Sequence, residues 1–400
     1  MEKLLFFFLR LLRLWQKFLL RIKGKTPADI RVERITSGKA WEEFCDRLKT
    51  AGAVLHYPGA PLDPFQQAEG MRYLTRLVRG GLEAFVEYSD PAFPVFRRMV
   101  HETVKMGADN PDNYYFNAQI SGKYEYEITG KRNTVHYLGF FTQNGNYGST
   151  GGLAPCGQLD HTDIHYDADG AFTIVLSKER RGRNWLKIED DSSLVMVRQT
   201  FYDRSKEIPA EVQIRNLDER TAPDPVTPAM IDEGLKTASF FVAGASMLFA
   251  RWAKGFQDHT NRLPLFSPEV SNAAGGDKNI IYYHSYWKLG PDEALEIRVK
   301  PPDCDSWNFQ LNNYWMESLD YRYFHVSINK SSAVYEPDGS VRVIVAHSDP
   351  GHPNWIDTCG HSEGTMCWRW YRIRPGAEAA EPDCRVLRME DPGLDMGKRQ

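Results

Sequence analysis

Six side chains capable of proton transfer or ligation crowd into seventeen residues: His347, Asp349, His352, Asp357, His361 and Glu363. Pro350, Gly351 and Pro353 make this stretch a loop, and loops carry function disproportionately. A histidine beside a carboxylate can act as general acid or base near neutral pH. The candidates for such metal-independent chemistry are His361 and His347, with Asp357 from the same loop and Asp320 from the segment before it. A purely structural reading stands beside this one. Asn354, Asp357 and the glycines are also the residues that satisfy backbone groups in turns.

A second concentration of polar groups lies upstream. The stretch SWNFQLNNYWMESLDYR, residues 306–322, opens with Trp307, Phe309 and Leu311 alternating with Asn308, Gln310 and Asn312. Period-two alternation predicts a half-buried strand. Asn is depleted on strands, so three amides on one face either form a buried hydrogen-bond network or line a pocket. Trp315, Tyr321, Arg322, Asn329 and Lys330 follow closely. With the three amides they are the candidate ligand-binding residues, a mixture of aromatic faces, amides and cations suited to an amphipathic small molecule.

Two further motifs carry less. GHSEG, residues 360–364, matches G-x-S-x-G, but a nucleophile elbow must join a strand to a helix, and TMCWRWYRI reads as a strand. His361 is also the last histidine in the chain, so none follows Ser362 to act as its base. His161, Asp163, His165 and Asp167 alternate and would share one strand face, a geometry open to a metal. The alternative is a polar strand end running into the Asp169-Gly170 turn. Neither a metal nor a cofactor is expected.

The elements that must position these groups show in the periodicity. Asp63-Pro64 begins a helix whose apolar residues run from Phe65 to Phe85 in three- and four-residue steps. A short helix is expected over Val95–Lys105. From Tyr114 the period becomes two and strands follow. Helix returns after Thr227-Pro228, with Ile231, Leu235, Ala238, Phe241, Ala245, Leu248, Trp252 and Phe256 on one stripe. Strands resume near Ile280. The strand regions repeat each other: YDADGAFTIVLS is echoed by YEPDGSVRVIVA, Asn184-Trp185 by Asn354-Trp355, and Arg198 by Arg369, at an offset near 170 residues. This predicts a mainly β chain with two duplicated β-sandwich domains. The expected division is a helical region over 26–108, sandwiches over 109–220 and 278–375, a helical insert over 221–277, and a flexible tail over 376–400.

Residues 1–25 stand apart. On a helix, Lys3, Arg10, Arg13, Lys17 and Arg21 fall in one stripe, roughly 80° wide, against a surface of Leu, Phe, Trp15 and Ile22. The longest apolar run, Leu4–Leu9, is far short of the roughly 20 residues a spanning helix needs. The expectation is an amphipathic helix lying in the membrane surface, its cations among anionic headgroups. Docking of this helix on protein is the alternative.

The segments WNFQLNNYWMESLDYR and NKSSAVYEPDGSVRVIVAHSDPGHPNWIDTCGHSEGTMCWRW, with GADNPDNYYFNAQISGKYEYEITGKR upstream, resemble the bacterial family called domain of unknown function 1214. The resemblance spans roughly residues 90–375. It implies a mostly-β, jelly-roll-like architecture in two units and a homo-oligomer, and it transfers no catalytic residue.

Of the 400 residues, 42% are hydrophobic and 26% charged, as for a globular protein. A net charge of −4 gives no reason to expect nucleic acid. Six cysteines without a CxxC pair suit a reducing compartment. The resulting expectation is a peripheral protein on the cytoplasmic face of a membrane. It binds an amphipathic or lipid-derived small molecule and, on one reading, transforms it by acid–base chemistry. The alternative is a non-catalytic binding or assembly protein.

Overall fold

The computed structural model describes residues 25–148, 153–218 and 222–390. The basic helix expected over 1–25 therefore lies, but for its last residue, outside the described residues. Among the described residues, no helix is long and apolar enough to cross a membrane.

Three helices come first: α1 (Pro27–Thr36), α2 (Lys39–Ala51) and α3 (Pro64–Leu82). Thr26 and Asp29 form a reciprocal capping box for α1, and the Asp63 side chain accepts from Gln66 N at the start of α3. The 29-residue α4 (Pro228–Phe256) is capped by Thr227, as its sequence predicts, and packs on α2 and α3. Short α5 (Pro268–Ala273) follows.

The first sandwich holds β1 (Asn113–Gln119), β2 (Tyr126–Lys131), β3 (Tyr137–Asn144), β4 (Ala154–Asp160), β5 (Ala171–Ser177), β6 (Trp185–Lys187), β7 (Ser192–Thr200) and β8 (Glu211–Asn216). The second holds β9 (Ile280–Lys288), β10 (Glu293–Val299), β11 (Cys304–Leu311), β12 (Ser327–Asn329), β13 (Val341–Ala346), β14 (Trp355–Asp357), β15 (Glu363–Ile373) and β16 (Asp383–Arg388). The sheet orders are β1-β7-β3-β4 and β6-β5-β2-β8 in the first, β9-β15-β11-β12 and β14-β13-β10-β16 in the second. Adding eight to each strand of one copy gives the other, including the one parallel pair, β5 with β6 and β13 with β14. The duplication is thus a repeat of the whole topology.

Side chains repeat with the strands. Asn184 Nδ2 donates to His165 O and Thr173 O, and His165 N donates to Asn184 Oδ1. Asn354 makes the same three bonds with Val334 and Arg342. Gly170 and Gly339 take φ of 85° and 79° in matching turns, which glycine adopts without steric cost. These turns link strands of different sheets rather than forming hairpin tips between paired strands.

Each sandwich has its own core. Trp307, Trp368 and Trp370 centre the second, with Trp307 and Trp368 stacked at 4.9 Å. Phe140, Ile174, Val195 and Val197 lie in the first. In the β1-β7-β3-β4 and β9-β15-β11-β12 sheets, β3, β7, β9, β11 and β15 are buried along most of their length, and residues of the two copies bond to each other across the junction.

Two local expectations are corrected. Val95–Lys105 is not a helix: Arg97 and Asn117 exchange backbone hydrogen bonds at 3.1 and 2.8 Å, because β1 is an edge strand and draws the segment alongside. The stretch after 375 is not wholly a tail. β16 pairs with β10 and closes that sheet as β8 closes the first.

Candidate functional site

Where the two sandwiches meet under α4, the fold leaves a cavity of about 170 Å³. Its two β walls are the same strands used twice. Tyr115 on β1 stands opposite Arg198 on β7, and Tyr282 on β9 stands opposite Arg369 on β15. The Arg198 Cζ lies 5.8 Å from the Tyr115 ring and the Arg369 Cζ 5.8 Å from the Tyr282 ring. Phe241, Phe249 and Trp252 from α4 supply an apolar wall, with Leu194 and Met196 from β7.

The two arginines are also anchored alike, each by the segment leading into the other copy. Arg198 Nη2 reaches Gly275 O at 3.5 Å, and Arg369 Nη2 donates to Ala108 O at 2.6 Å. Gly275 and Ala108 are equivalent residues, both at positive φ (94° and 57°). The partners then diverge. Arg198 Nη1 pairs with Asp277 Oδ2 at 3.1 Å. Arg369 Nη1 instead donates to the amide oxygens of Gln310 at 2.6 Å and Asn308 at 3.4 Å.

This is the role of the row of amides. Gln310 also donates to Asn312 Oδ1 and Asp109 O, and Asn308 to Asn110 Oδ1 at 2.9 Å. The amides form a satisfied buried network that holds Arg369 at the cavity wall.

Some buried polar atoms on the cavity have no hydrogen-bond partner among the described residues: Arg198 Nε, His284 Nδ1, Gln143 Oε1 and Asn113 Oδ1. His284 Nε2 faces Cys367 Sγ at 3.8 Å. Burial pushes the His284 imidazole down to about 3, with Arg369 adding to the effect, and burial raises the Cys367 thiol to about 11. The pair is a neutral imidazole beside a neutral thiol, the opposite of an activated thiolate.

The profile of the family described as Protein of unknown function (DUF1214) matches residues 146–205 and 292–375, one stretch in each sandwich. The crystal structure of an uncharacterized protein from Burkholderia cenocepacia is 47% identical, with a TM-score of 0.87. The match covers 89% of this chain and 99% of that one. The chain belongs to the DUF1214 family. The VPA0106 protein from Vibrio parahaemolyticus matches at 12% identity and a TM-score of 0.46, covering 80% of this chain and 98% of that one. A search of curated proteins finds no match.

In this DUF1214 protein the four acid–base candidates are not joined to one another. His361 is buried, its Nδ1 against Thr358 O at 2.9 Å and its Nε2 against Glu69 Oε2 at 2.5 Å. Burial raises the Glu69 carboxyl, but the His361 contact and charge outweigh it and leave the carboxyl below its ordinary value. His347 bonds Thr358 Oγ1 and Gly290 O. Asp320 is held by Arg322 at 2.7 and 2.9 Å, and Asp357 accepts from Cys359 N in a turn. Neither histidine bonds Asp320 or Asp357, and none of the four lines the cavity.

The expected ligand patch is likewise distributed. Trp315 is buried under α3, donating to Gln66 O. Tyr321 covers Lys105 Nζ at 4.4 Å, while Lys330 Nζ bonds Cys304 O and Asn329 receives Ser331 N and Ser332 N. His161 and Asp163 sit in a turn rather than on a strand. Among the described residues no cluster of three His, Cys, Asp or Glu side chains is placed to hold a metal.

Sequence reasoning did not identify Tyr115, Tyr282, His284 or the two arginines as site residues. A signal existed. Arg198 and Arg369 recur at the same place in the repeat, the first after Val195-Met196-Val197 and the second between Trp368 and Trp370. A charge kept at the centre of a buried strand needs an explanation.

Proposed function

We propose that this protein binds an amphipathic small molecule in the cavity between its two sandwiches, while its basic N-terminal segment holds it at a membrane surface. The observation that supports binding is the cavity itself. An apolar cavity of about 150 Å³ accommodates a benzene-sized molecule, and here apolar walls meet buried polar atoms that lack partners among the described residues. Binding has more support than acid–base catalysis, because His284 is the cavity's imidazole and is too weakly basic at neutral pH to serve as an efficient base. The pairing of His361 or His347 with Asp320 or Asp357 has no bond to support it.

The binding reading is tested with 2-phenylethanol in thermal-shift and calorimetric titrations of the full chain. Saturable binding that Met196→Trp abolishes by filling the cavity is expected; absence of any binding would overturn it. The membrane reading rests on residues 1–25. Removing them should release the protein from anionic vesicles in co-sedimentation, and equal sedimentation of both forms would reject it.

A further inference from the structure

Reciprocity between the two copies gives the cavity an asymmetry of charge. Asp277 precedes β9 by the same interval as Asn110 precedes β1. The local bonds agree: Asp277 N donates to Tyr282 OH at 3.3 Å and Asn110 N to Tyr115 OH at 3.1 Å. Likewise Asp277 Oδ1 accepts from Asn279 N and Asn110 Oδ1 from Asp112 N, both at 2.9 Å. Each residue belongs to one copy and reaches across to the other. Asp277 supplies the carboxylate to Arg198. At the equivalent place beside the Arg369 strand stands an amide, Asn110, bonded to Asn308 and to the Tyr371 hydroxyl.

Arg369 is consequently a buried guanidinium, 4% exposed, with only neutral hydrogen-bond partners among the described residues. Asp109, also on the cavity, turns its carboxylate to Ser318 N and Oγ and lies in the field of Lys105. Asp112 feels the field of Arg369 but hydrogen-bonds through its side chain toward Asn329. The surrounding hydroxyls add donors. Tyr115 OH accepts from Asn110 N and Asn113 Nδ2, Tyr371 OH from Asn110 Nδ2, and Tyr282 OH from Asp277 N. Each phenol has its oxygen engaged as acceptor, which leaves its proton to donate.

Resting on the binding reading above, we infer that the cavity takes a small monoanionic carboxylate. Its head is received by Arg369 and neighbouring phenol protons, and its aromatic or branched apolar body lies against Phe241, Phe249 and Trp252. A buried guanidinium with no carboxylate in hydrogen-bond contact among the described residues favours a ligand bearing a single negative charge. A dianionic phosphate would leave a negative charge buried in turn. The volume limits the body to roughly the size of one ring.

The test compares phenylacetate, 2-phenylethanol and phenyl phosphate by calorimetry on the full chain at pH 8. Phenylacetate should bind about 10- to 100-fold tighter than the alcohol, as a charge-assisted contact gives. Arg369→Gln should remove that preference while alcohol binding persists. Asn110→Asp, nearly isosteric, would restore the internal carboxylate and should also lower phenylacetate affinity at least tenfold. Equal affinity for acid and alcohol, or tighter binding of the phosphate, overturns the carboxylate assignment and leaves the cavity reading intact. Binding of none of the three overturns both.

Discussion

Asp277 receives Arg198 at 3.1 Å, and the two residues come from opposite sides of the junction between the repeated sandwiches. Asp277 is fully buried and also accepts from Tyr137 OH at 2.6 Å, Gln158 Nε2 and Asn279 N. The contact belongs to the interface between the copies, not to either copy alone. Asp277→Asn would leave the Arg198 charge buried without its counter-charge. Breaking such a pair costs about 3–5 kcal/mol. Urea unfolding of wild type and variant measures it, and a loss below about 1 kcal/mol would show that Arg198 is stabilised by other means.

Asn184 and Asn354 make the same three bonds to backbone in the two copies. Replacing either by Ala strands buried backbone groups, each worth about 1–3 kcal/mol. Asn184→Ala and Asn354→Ala should therefore each lower stability by about 3 kcal/mol. Circular dichroism melts would check this. A large loss in one copy and none in the other would contradict equivalent roles.

Glu69 ties α3 to the loop that bears His361. Its carboxyl sits below the ordinary value of 4.5 in the folded chain. A depressed carboxyl stabilises the fold above its unfolded value, and that contribution disappears as pH falls through the folded value. The stability difference between wild type and Glu69→Gln should be full above pH 4.5 and shrink in more acidic solution. Denaturant titrations at several pH values test it, and a difference that grows in acid would reverse the assignment.

Gly70 lies inside α3 directly against Trp315. An added Cβ would come within 2.5 Å of Trp315 Cζ2 and 2.7 Å of Leu55 Cδ2. Helix propensity alone favours Ala over Gly by about 0.8–1.0 kcal/mol. Overpacking a rigid core costs about 1–3 kcal/mol, and Trp315 is only 1% exposed. Gly70→Ala should be net destabilising in thermal melts, whereas a gain would mean that the indole can shift.

The sequence by itself determined the local order. Alternation placed Trp307, Phe309 and Leu311 on one face of β11 and the amides on the other, because a strand has only two faces. Thr227 and Pro228 marked the start of α4 through capping chemistry. The repeat of Asp-Gly, Asn-Trp and Arg landmarks exposed the duplication, because equivalent turns and strand positions demand the same residue types. The site was legible only in part. The amides were singled out, but His361, His347, Asp320 and Asp357 were grouped by nearness in the chain, and the fold gave each a different neighbour. What Asn308 and Gln310 serve was decided by tertiary structure, which turned two equivalent sheets toward each other and brought Ala108 and Gly275 across to the opposite arginines. The residues that meet there lie 77 positions apart for Arg198 and Gly275 and 261 apart for Arg369 and Ala108, so no local spacing or period could encode the contact. Only the packed junction shows that Arg198 has a carboxylate, Asp277, while Arg369 has amides.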